Sequence, residues 1–497
     1  MKLKKLLKDI PAEDIKGSKE VEITGVCSNS NLVAPGNLFV ARKGLTTNGA
    51  QFIPQAIESG AVAVLTDIYD PTLRNVTQII HPDVASLEGS IAAAYNLHPS
   101  DELLLVGITG TNGKTTTAYL IKSLLDYLDE GPCGLIGTIE YIIGSQRYQA
   151  THTTPEVCTN QKMLREMLVQ GCHSAVMEVT SHALDQGRVN NIDFDVALFT
   201  NLTLDHLDYH QTMEQYAKAK NKLFRNLDPN RKKKKRRTVK SAIVNVDSPW
   251  HQAIAEGCQA DFITYGIENQ ADLTASDIEM TSTETKLNLH YQGKMIPCRW
   301  SFIGRYNLYN CLSAIAVALS QEKTLEEVAN AMQFIPPVPG RLEPVPNNQG
   351  YKIYVDFAHS DDALLNVFSC LKELKKGKLI TVFGCGGDRD RSKRPKMAEV
   401  CEKYSDMSFV TTDNPRKEDP IGIIRDIIQG FKSLDSYMIE SDRREAISKA
   451  IDMATPNDII LIAGKGHEQY QIFAHQTIEF DDRIVAKELV EELEAKV

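Results

Sequence analysis

The sequence predicts an α/β fold built on parallel sheets, and three observations carry that prediction. The run Leu103-Leu-Leu-Val-Gly-Ile-Thr109 is apolar and passes directly into Gly110-Thr-Asn-Gly-Lys-Thr-Thr-Thr117. That is a strand, a glycine-rich turn and a helix start, in that order. Beyond it, short apolar runs alternate with amphipathic stretches, the pattern of sheets covered by helices on both faces. Several runs end in dense polar residues, and ligands of open α/β sheets bind at the carboxyl ends of strands.

Taken in order, the first block covers residues 1–98. Leu3, Leu6, Leu7 and Ile10 fit one face of a short helix. The second block, 99–338, opens with the glycine-rich turn and closes at Phe334-Ile-Pro-Pro-Val-Pro-Gly340, which reads as a linker because proline continues neither helix nor central strand. The third block is 339–497. Candidate strands lie at 174–178, 196–200, 242–246, 352–356, 379–383, 409–412 and 458–462. The basic run Arg231-Lys-Lys-Lys-Lys-Arg-Arg237 reads as a solvated surface loop rather than a nucleic-acid or localisation patch.

Composition narrows the class. A chain of 497 residues suggests about three domains at roughly 150 residues each. The net charge of -10 argues against general nucleic-acid binding. No apolar run is long enough to cross a bilayer, so membrane insertion is not expected. Ten scattered cysteines show no metal-site spacing and fit buried thiols in the cytoplasm.

The chemistry begins at the turn. Backbone N–H groups of Gly110, Thr111, Asn112, Gly113, Lys114, Thr115 and Thr116 can cradle phosphates at a helix N-terminus. Lys114 adds a point charge, and Thr115 can offer its hydroxyl to Mg2+. Only two residues separate Gly110 from Gly113, and Ile108 stands where the common first glycine would be, so this is a phosphate loop of a particular sub-type. Glu178 ends a strand and could hold a metal. His206 and His210 lie in Asp205-His-Leu-Asp-Tyr-His210. Arg341, Glu343 and Asp356 follow the linker. Gly384-Cys-Gly-Gly-Asp-Arg389, Asp413-Asn-Pro-Arg416 and Gly464-Lys-Gly-His-Glu468 each follow a strand. Arg389 and Arg416 are good carboxylate forks, and Glu468 could meet an ammonium group. Together these point to ATP, Mg2+ and a zwitterionic amino acid, the needs of an amide-bond-forming ligase.

The Gly-Thr-Asn-Gly-Lys-Thr loop, the Asp205–His210 run, Gly304-Arg-Tyr-Asn-Leu-Tyr-Asn310, Gly340-Arg-Leu-Glu343 and Asp356-Phe-Ala-His359 resemble the Mur ligases of peptidoglycan synthesis. The resemblance spans essentially the whole chain. It implies three domains: a UDP-sugar-binding block, a central phosphate-loop sheet and a C-terminal Rossmann-like domain that binds an amino acid. It further implies that Lys114, Glu178, His206 and Lys220 are catalytic. Thr115 and Glu178 would hold one Mg2+, and His206 and Lys220, carried as a carbamate, would serve a second. Asn310, Arg341 and Asp356 match ATP contacts. Ser30, Thr153, Thr154, Thr180, Gln186 and Arg188 match contacts to the UDP-N-acetylmuramoyl-dipeptide. Asn29 and Asn31 depart from the charged residues usual beside Ser30, and Phe357 and Asp361 from the usual tyrosine and proline.

Arg389, Asp413, Asn414, Pro415, Arg416, Gly464 and Glu468 match the site for the amine substrate. Meso-diaminopimelate ends in an ammonium–carboxylate pair and lysine in an ammonium alone. Arg416 has a partner only in the former, and an unpaired buried guanidinium is costly. The resemblance therefore implies a monomeric, diaminopimelate-adding ligase. Rival readings are a lysine-adding ligase, a folylpolyglutamate synthetase-like ligase, and an ATP-binding regulator without catalysis.

Overall fold

The computed structural model describes residues 1–11, 14–44, 47–128, 131–231, 233 and 239–495. Its contacts form two compact units. One comprises 1–274, 290–294 and 312–331, the other 275–289, 295–311 and 332–497.

The first unit opens with a five-stranded sheet in the order Asp14–Lys16, Thr77–Ile80, Ala63–Thr66, Asn37–Val40, Gly25–Cys27. Only Asp14–Lys16 runs antiparallel to its neighbour. The expected N-terminal helix is present as Leu3–Leu6, with Leu3, Leu6 and Leu7 buried.

The second sheet places Asp261–Tyr265, Ser241–Asn245, Val196–Phe199, Leu104–Thr109, Ser174–Glu178 and Cys133–Ile136 side by side and parallel. Glu140–Ile143 and Gln146–Gln149 add an antiparallel edge. At the opposite edge Leu273 pairs with Tyr265. Leu104–Thr109 is buried along its whole length, as its continuous apolar run requires. It lies between Ser174–Glu178 and Val196–Phe199, so the ends of those two strands flank the phosphate loop.

Two helices set the site's side chains. In Lys114–Leu128, Leu120, Ile121, Leu124 and Leu125 recur at helical spacing and are buried. Met213–Arg225 is capped by Thr212, whose hydroxyl accepts from the Gln215 N–H. Its buried face carries Tyr216, Ala217, Lys220, Leu223 and Phe224, at the same spacing. Lys220 thus occupies a core position, while Lys218 is exposed.

The C-terminal sheet runs Glu343–Val345, Lys352–Asp356, Ile459–Ala463, Leu379–Phe383, Met407–Val410, Tyr437–Ile439. All neighbours are parallel except Glu343–Val345. Four adjacent parallel strands therefore release Asp356, Gly464–Glu468, Gly384–Arg389 and Asp413–Arg416 at the same sheet edge. Residues 335–338, in the expected linker, form neither helix nor strand.

One expectation needs correction. Of the basic run, Lys232 and 234–237 lie outside the described residues, but Arg231 and Lys233 are not simply solvated. The Lys233 side chain is fully buried against Asp195, and Arg231 bonds Asp101 at 3.0 Å. Two core carboxylates, Asp193 and Asp195, attract this segment; Lys240 bonds both, at 2.8 and 3.2 Å. A charge run can pack where buried counter-charges await it.

Candidate active site

The phosphate loop is braced by the two residues that follow the strand Val196–Phe199. Thr111 N donates to the Asn201 carbonyl at 2.8 Å and Asn112 N to Asn201 Oδ1 at 2.9 Å. Thr200 Oγ1 donates to the Asn112 carbonyl at 2.7 Å. Gly110 has φ +150°, and a Cβ there would lie 1.9 Å from Thr200 Oγ1, so only glycine fits. Neither Thr200 nor Asn201 was singled out from sequence for this bracing; their position at the end of the strand beside the loop strand is the available signal.

Glu178, buried at its strand end, accepts three bonds. Thr115 Oγ1 donates to Oε2 at 2.9 Å, Thr138 N to Oε1 at 2.8 Å and Thr138 Oγ1 to Oε2 at 3.0 Å. Thr138 was not anticipated. The Thr115–Glu178 oxygen separation matches that of adjacent oxygens on one octahedral Mg2+, roughly 2.9 Å at metal–oxygen distances of about 2.1 Å. The pair therefore fits the cation that the sequence implies.

Lys114 Nζ donates to the carbonyls of Gly110 and Thr111 at 3.0 and 2.8 Å. Lys220 Nζ donates to the same Gly110 carbonyl at 2.9 Å and lies 4.6 Å from the centre of the Tyr216 ring. Burial, then the charge of Lys114, pushes the Lys220 ammonium well below its ordinary range, against Asp205. A neutral amine is the nucleophile that adds CO2 to become a carbamate. Among the described residues no group of three or more His, Cys, Asp or Glu could hold a metal.

His206 follows Asp205 with φ 54°, its N–H bonded to Asp205 Oδ1 at 2.8 Å. Its ring meets that of His182 edge-on at 4.8 Å. Burial lowers its pKa, opposed by Asp205, and so favours the neutral imidazole, the form able to ligate. His210 instead stacks on Tyr216 and bonds Ser181 Oγ at 2.9 Å.

The residues expected to contact the muramoyl-dipeptide converge on the other end of Glu178. Thr154 Oγ1 donates to the Glu178 carbonyl at 2.7 Å and accepts from Thr180 N at 3.1 Å. Arg188 donates to the Thr154 carbonyl at 3.1 Å and to Gln186 Oε1 at 2.8 Å. Thr153 Oγ1 lies 3.1 Å from Thr138 Oγ1. Arg42, also not anticipated, bonds both the Gln186 carbonyl and buried Glu88. Near residue 30, amides replace charges: Ser30 Oγ donates to Gln55 Oε1, and Gln55 Nε2 to Asn31 Oδ1, both at 2.9 Å.

In the second unit, Asp356 is buried and accepts from Leu342 N at 2.7 Å and Ala358 N at 2.8 Å. Burial raises its pKa; Arg341 opposes the rise. Arg341 sits 4.7 Å over the Phe357 ring, so phenylalanine in place of tyrosine keeps the cation's platform. Ser360 caps the helix that begins at Asp361. Asn310 is buried, with Nδ2 3.2 Å from Asn307 Oδ1.

The amino-acid residues also come together. Asn414 Nδ2 donates to Glu468 Oε2 at 2.7 Å. Arg416, with φ 52°, donates from Nη1 to the Gly387 carbonyl at 2.9 Å. Gly387 N donates to the Asn414 carbonyl at 2.9 Å, and a Cβ on Gly387 would lie 1.9 Å from the Pro415 carbonyl. The two turns can approach only because this residue is glycine. A Cβ on Gly464 would lie 2.7 Å from Asp413 Oδ2, which places those two in contact. Arg389 is exposed and bonds the Asp388 carbonyl at 3.2 Å. The cluster thus gathers two guanidiniums, Asp413 and Glu468, complementary to a molecule carrying both carboxylate and ammonium.

Comparison with known proteins fits this geometry. Models of the Mur ligase family catalytic domain, middle domain and glutamate ligase domain match residues 22–98, 108–318 and 340–466. The UDP-N-acetylmuramoyl-L-alanyl-D-glutamate--2,6-diaminopimelate ligase of Chlamydia caviae is 45% identical over 99% of both chains. The chain belongs to the Mur ligase family. It has that family's three-domain α/β fold and its character as an ATP-dependent, amide-bond-forming ligase. A relative of the same name from Caldanaerobacter subterraneus subsp. tengcongensis is 40% identical over 99% of this chain and 100% of its own. A solved structure of a ligase with that name superposes with a TM-score of 0.72 at 29% identity, over 99% of each chain.

Proposed function

We propose that this Mur ligase joins meso-diaminopimelate to UDP-N-acetylmuramoyl-L-alanyl-D-glutamate, using ATP and Mg2+, in peptidoglycan precursor synthesis. One observation carries the reading: Glu178 links the two halves of the acyl-activation chemistry. Its carboxylate meets Thr115 of the phosphate loop, and its carbonyl meets Thr154 among the dipeptide contacts. A residue that touches both is suited to bring a carboxylate to a γ-phosphate.

In the proposed reaction, a carboxylate oxygen of D-glutamate attacks the γ-phosphorus, and ADP leaves. Lys114 balances charge on the transferring phosphoryl group. The amino group of diaminopimelate, recognised through Arg389, Asp413, Asn414, Pro415, Arg416, Gly464 and Glu468, then attacks the acyl carbon. It loses a proton as the tetrahedral intermediate expels phosphate. Thr115 and Glu178 would hold one Mg2+, and His206 with carbamylated Lys220 a second; bound there, the cations supply positive charge to the phosphate oxygens. Carbamylation joins the neutral Lys220 amine to CO2 and releases a proton. Asn310, Arg341 and Asp356 are the proposed ATP contacts outside the loop, and Ser30 lies in the proposed uridine site.

We assign the UDP-sugar-binding domain to 1–98, the ATP-binding domain to 99–338 and the amino-acid-binding domain to 339–497. The cytoplasm is the proposed compartment, supported by ten free cysteines. No helix among the described residues is long and apolar enough to cross a membrane. Phosphate release should require ATP, the nucleotide dipeptide and meso-diaminopimelate together. Release that does not depend on the amine would refute the reading in favour of a regulator.

A further inference from the structure

The turn Gly464–Glu468 contains a lysine that the amino-acid site does not need for contact. Lys465 has no exposed surface. Its Nζ donates to Glu468 Oε2 at 3.1 Å, to Asn414 Oδ1 at 3.4 Å and to the Tyr470 carbonyl at 2.5 Å. An ammonium has three donors, and all three are matched by protein acceptors. Lys465 therefore has no hydrogen left for a substrate, yet it touches two residues that are placed to meet one.

Those bonds fix orientation. Asn414 Oδ1 faces two donors, Lys465 Nζ and Ile472 N, the latter at 2.9 Å. The amide can satisfy both only with its oxygen on that side, which turns Nδ2 toward Glu468. Glu468 Oε2 consequently accepts from Asn414 and from Lys465. Oε1 has no protein donor among the described residues. Left-handed glycines on either side, with φ +111° at Gly464 and +53° at Gly466, bend the chain so that Lys465 turns inward.

We propose that Lys465 is a positioning residue for amine recognition: its buried ammonium locks Glu468 and Asn414 so that Glu468 Oε1 faces the distal ammonium of the amino-acid substrate. The proposal rests on the reading of this cluster as the diaminopimelate site. It also accounts for charge. Burial and the neighbouring Asp413 both favour a neutral Glu468, and Lys465 is the closest charge that opposes them, with Arg443 behind. A neutral Glu468 would lose its attraction for an ammonium.

The test is steady-state kinetics on the full chain with Lys465→Met, Lys465→Gln, Glu468→Gln and the double variant Lys465→Met/Glu468→Gln. Each Lys465 variant should raise KM for meso-diaminopimelate by about 10–100-fold, the range for losing a charge-assisted hydrogen bond. KM for ATP and for the nucleotide dipeptide should stay within about twofold, and kcat at saturating amine within about threefold. In the Glu468→Gln background, adding Lys465→Met should change KM by less than about threefold, because the lysine acts through that carboxylate. An unchanged KM for the amine, a parallel rise in all three KM values, or full multiplication of the two effects would overturn the proposal. If Lys465→Met alone fails to fold, the double variant, which buries no lone charge, is compared with Glu468→Gln: equal KM supports the proposal and a further tenfold rise, about 1.4 kcal/mol, overturns it. Wild-type chain without diaminopimelate-dependent phosphate release refutes the functional reading itself. An active wild type with indifferent Lys465 variants refutes only the positioning role.

Discussion

The phosphate-loop cluster and the Arg416 cluster both lie past the carboxyl ends of adjacent parallel strands, yet their side chains are committed to different degrees. Around the loop, Glu178 accepts three donors, Asn201 and Thr200 brace the turn, and Lys114 and Lys220 share one carbonyl. Around Arg416, the guanidinium spends Nη1 on backbone carbonyls, Arg389 is exposed, and Glu468 keeps one oxygen uncommitted. The groups proposed to handle phosphate are fixed by the fold, whereas those proposed to read the amino acid retain hydrogen-bonding capacity. On the proposed reading, the first cluster would serve any carboxylate activation by ATP and the second would decide which amine is joined.

Substitutions in the two clusters should therefore fail differently. The largest loss is expected at Lys114. Lys114→Met should lower kcat by about 10³-fold, the scale of removing one preorganised charge from a developing anion, with every amine affected alike. Next is Lys220→Ala, with a loss of about 10²-fold in kcat. Small carboxylates added to this variant should restore part of the rate, since they would replace the proposed carbamate in the space the side chain leaves. A rescue by alkylamines instead would show that Lys220 acts as an ammonium.

Arg416→Met sharpens the contrast. It should raise KM for meso-diaminopimelate by about 30-fold, as for a truncated buried charge pair, while leaving KM for L-lysine within about twofold. A loss of equal size with both amines would place Arg416 outside the recognition of the distal carboxylate.

The smallest effect on chemistry is expected behind the second cluster. Arg394 has no exposed side-chain surface and bonds Glu418 at 2.9 Å and Asp426 at 2.8 Å. The Arg394 bond is the main cause that holds the Glu418 carboxyl below its ordinary value; for Asp426 the Arg391 bond comes first and the Arg394 bond second. For a depressed carboxyl, the stabilisation is complete above the unfolded pKa and is lost as pH falls through the folded one. Arg394→Met should thus lower stability at pH 7 by about 2–3 kcal/mol and flatten its fall below about pH 4. Denaturant melts at pH 7 and pH 3 check this. An unaltered pH dependence would contradict the pairing.

Much of this was legible in the sequence, for physical reasons. Strands such as Ser174–Glu178, Lys352–Asp356 and Leu379–Phe383 are continuous apolar runs, because both faces of a parallel sheet are covered. Lys220 is marked in the sequence only by the resemblance; the structure supplies the physical difference from Lys218, its place on the helical stripe with Tyr216, Leu223 and Phe224. What was not legible depends on partners far along the chain. Thr138 reaches Glu178 across 40 positions, Arg42 reaches Gln186 across 144, and Lys465 reaches Asn414 across 51. The basic run misled because Asp195, 38 positions from Lys233, supplies a buried counter-charge that local composition does not reveal.

The most direct test of this division of labour is kcat/KM of the purified chain for meso-diaminopimelate and for L-lysine, measured by phosphate release with saturating ATP and nucleotide dipeptide. With Arg416 and Arg389 reading a distal carboxylate, diaminopimelate should be favoured by at least about 10²-fold, the discrimination expected when a site built for a polar group meets an analogue lacking it. Equal or better turnover of L-lysine would contradict that account.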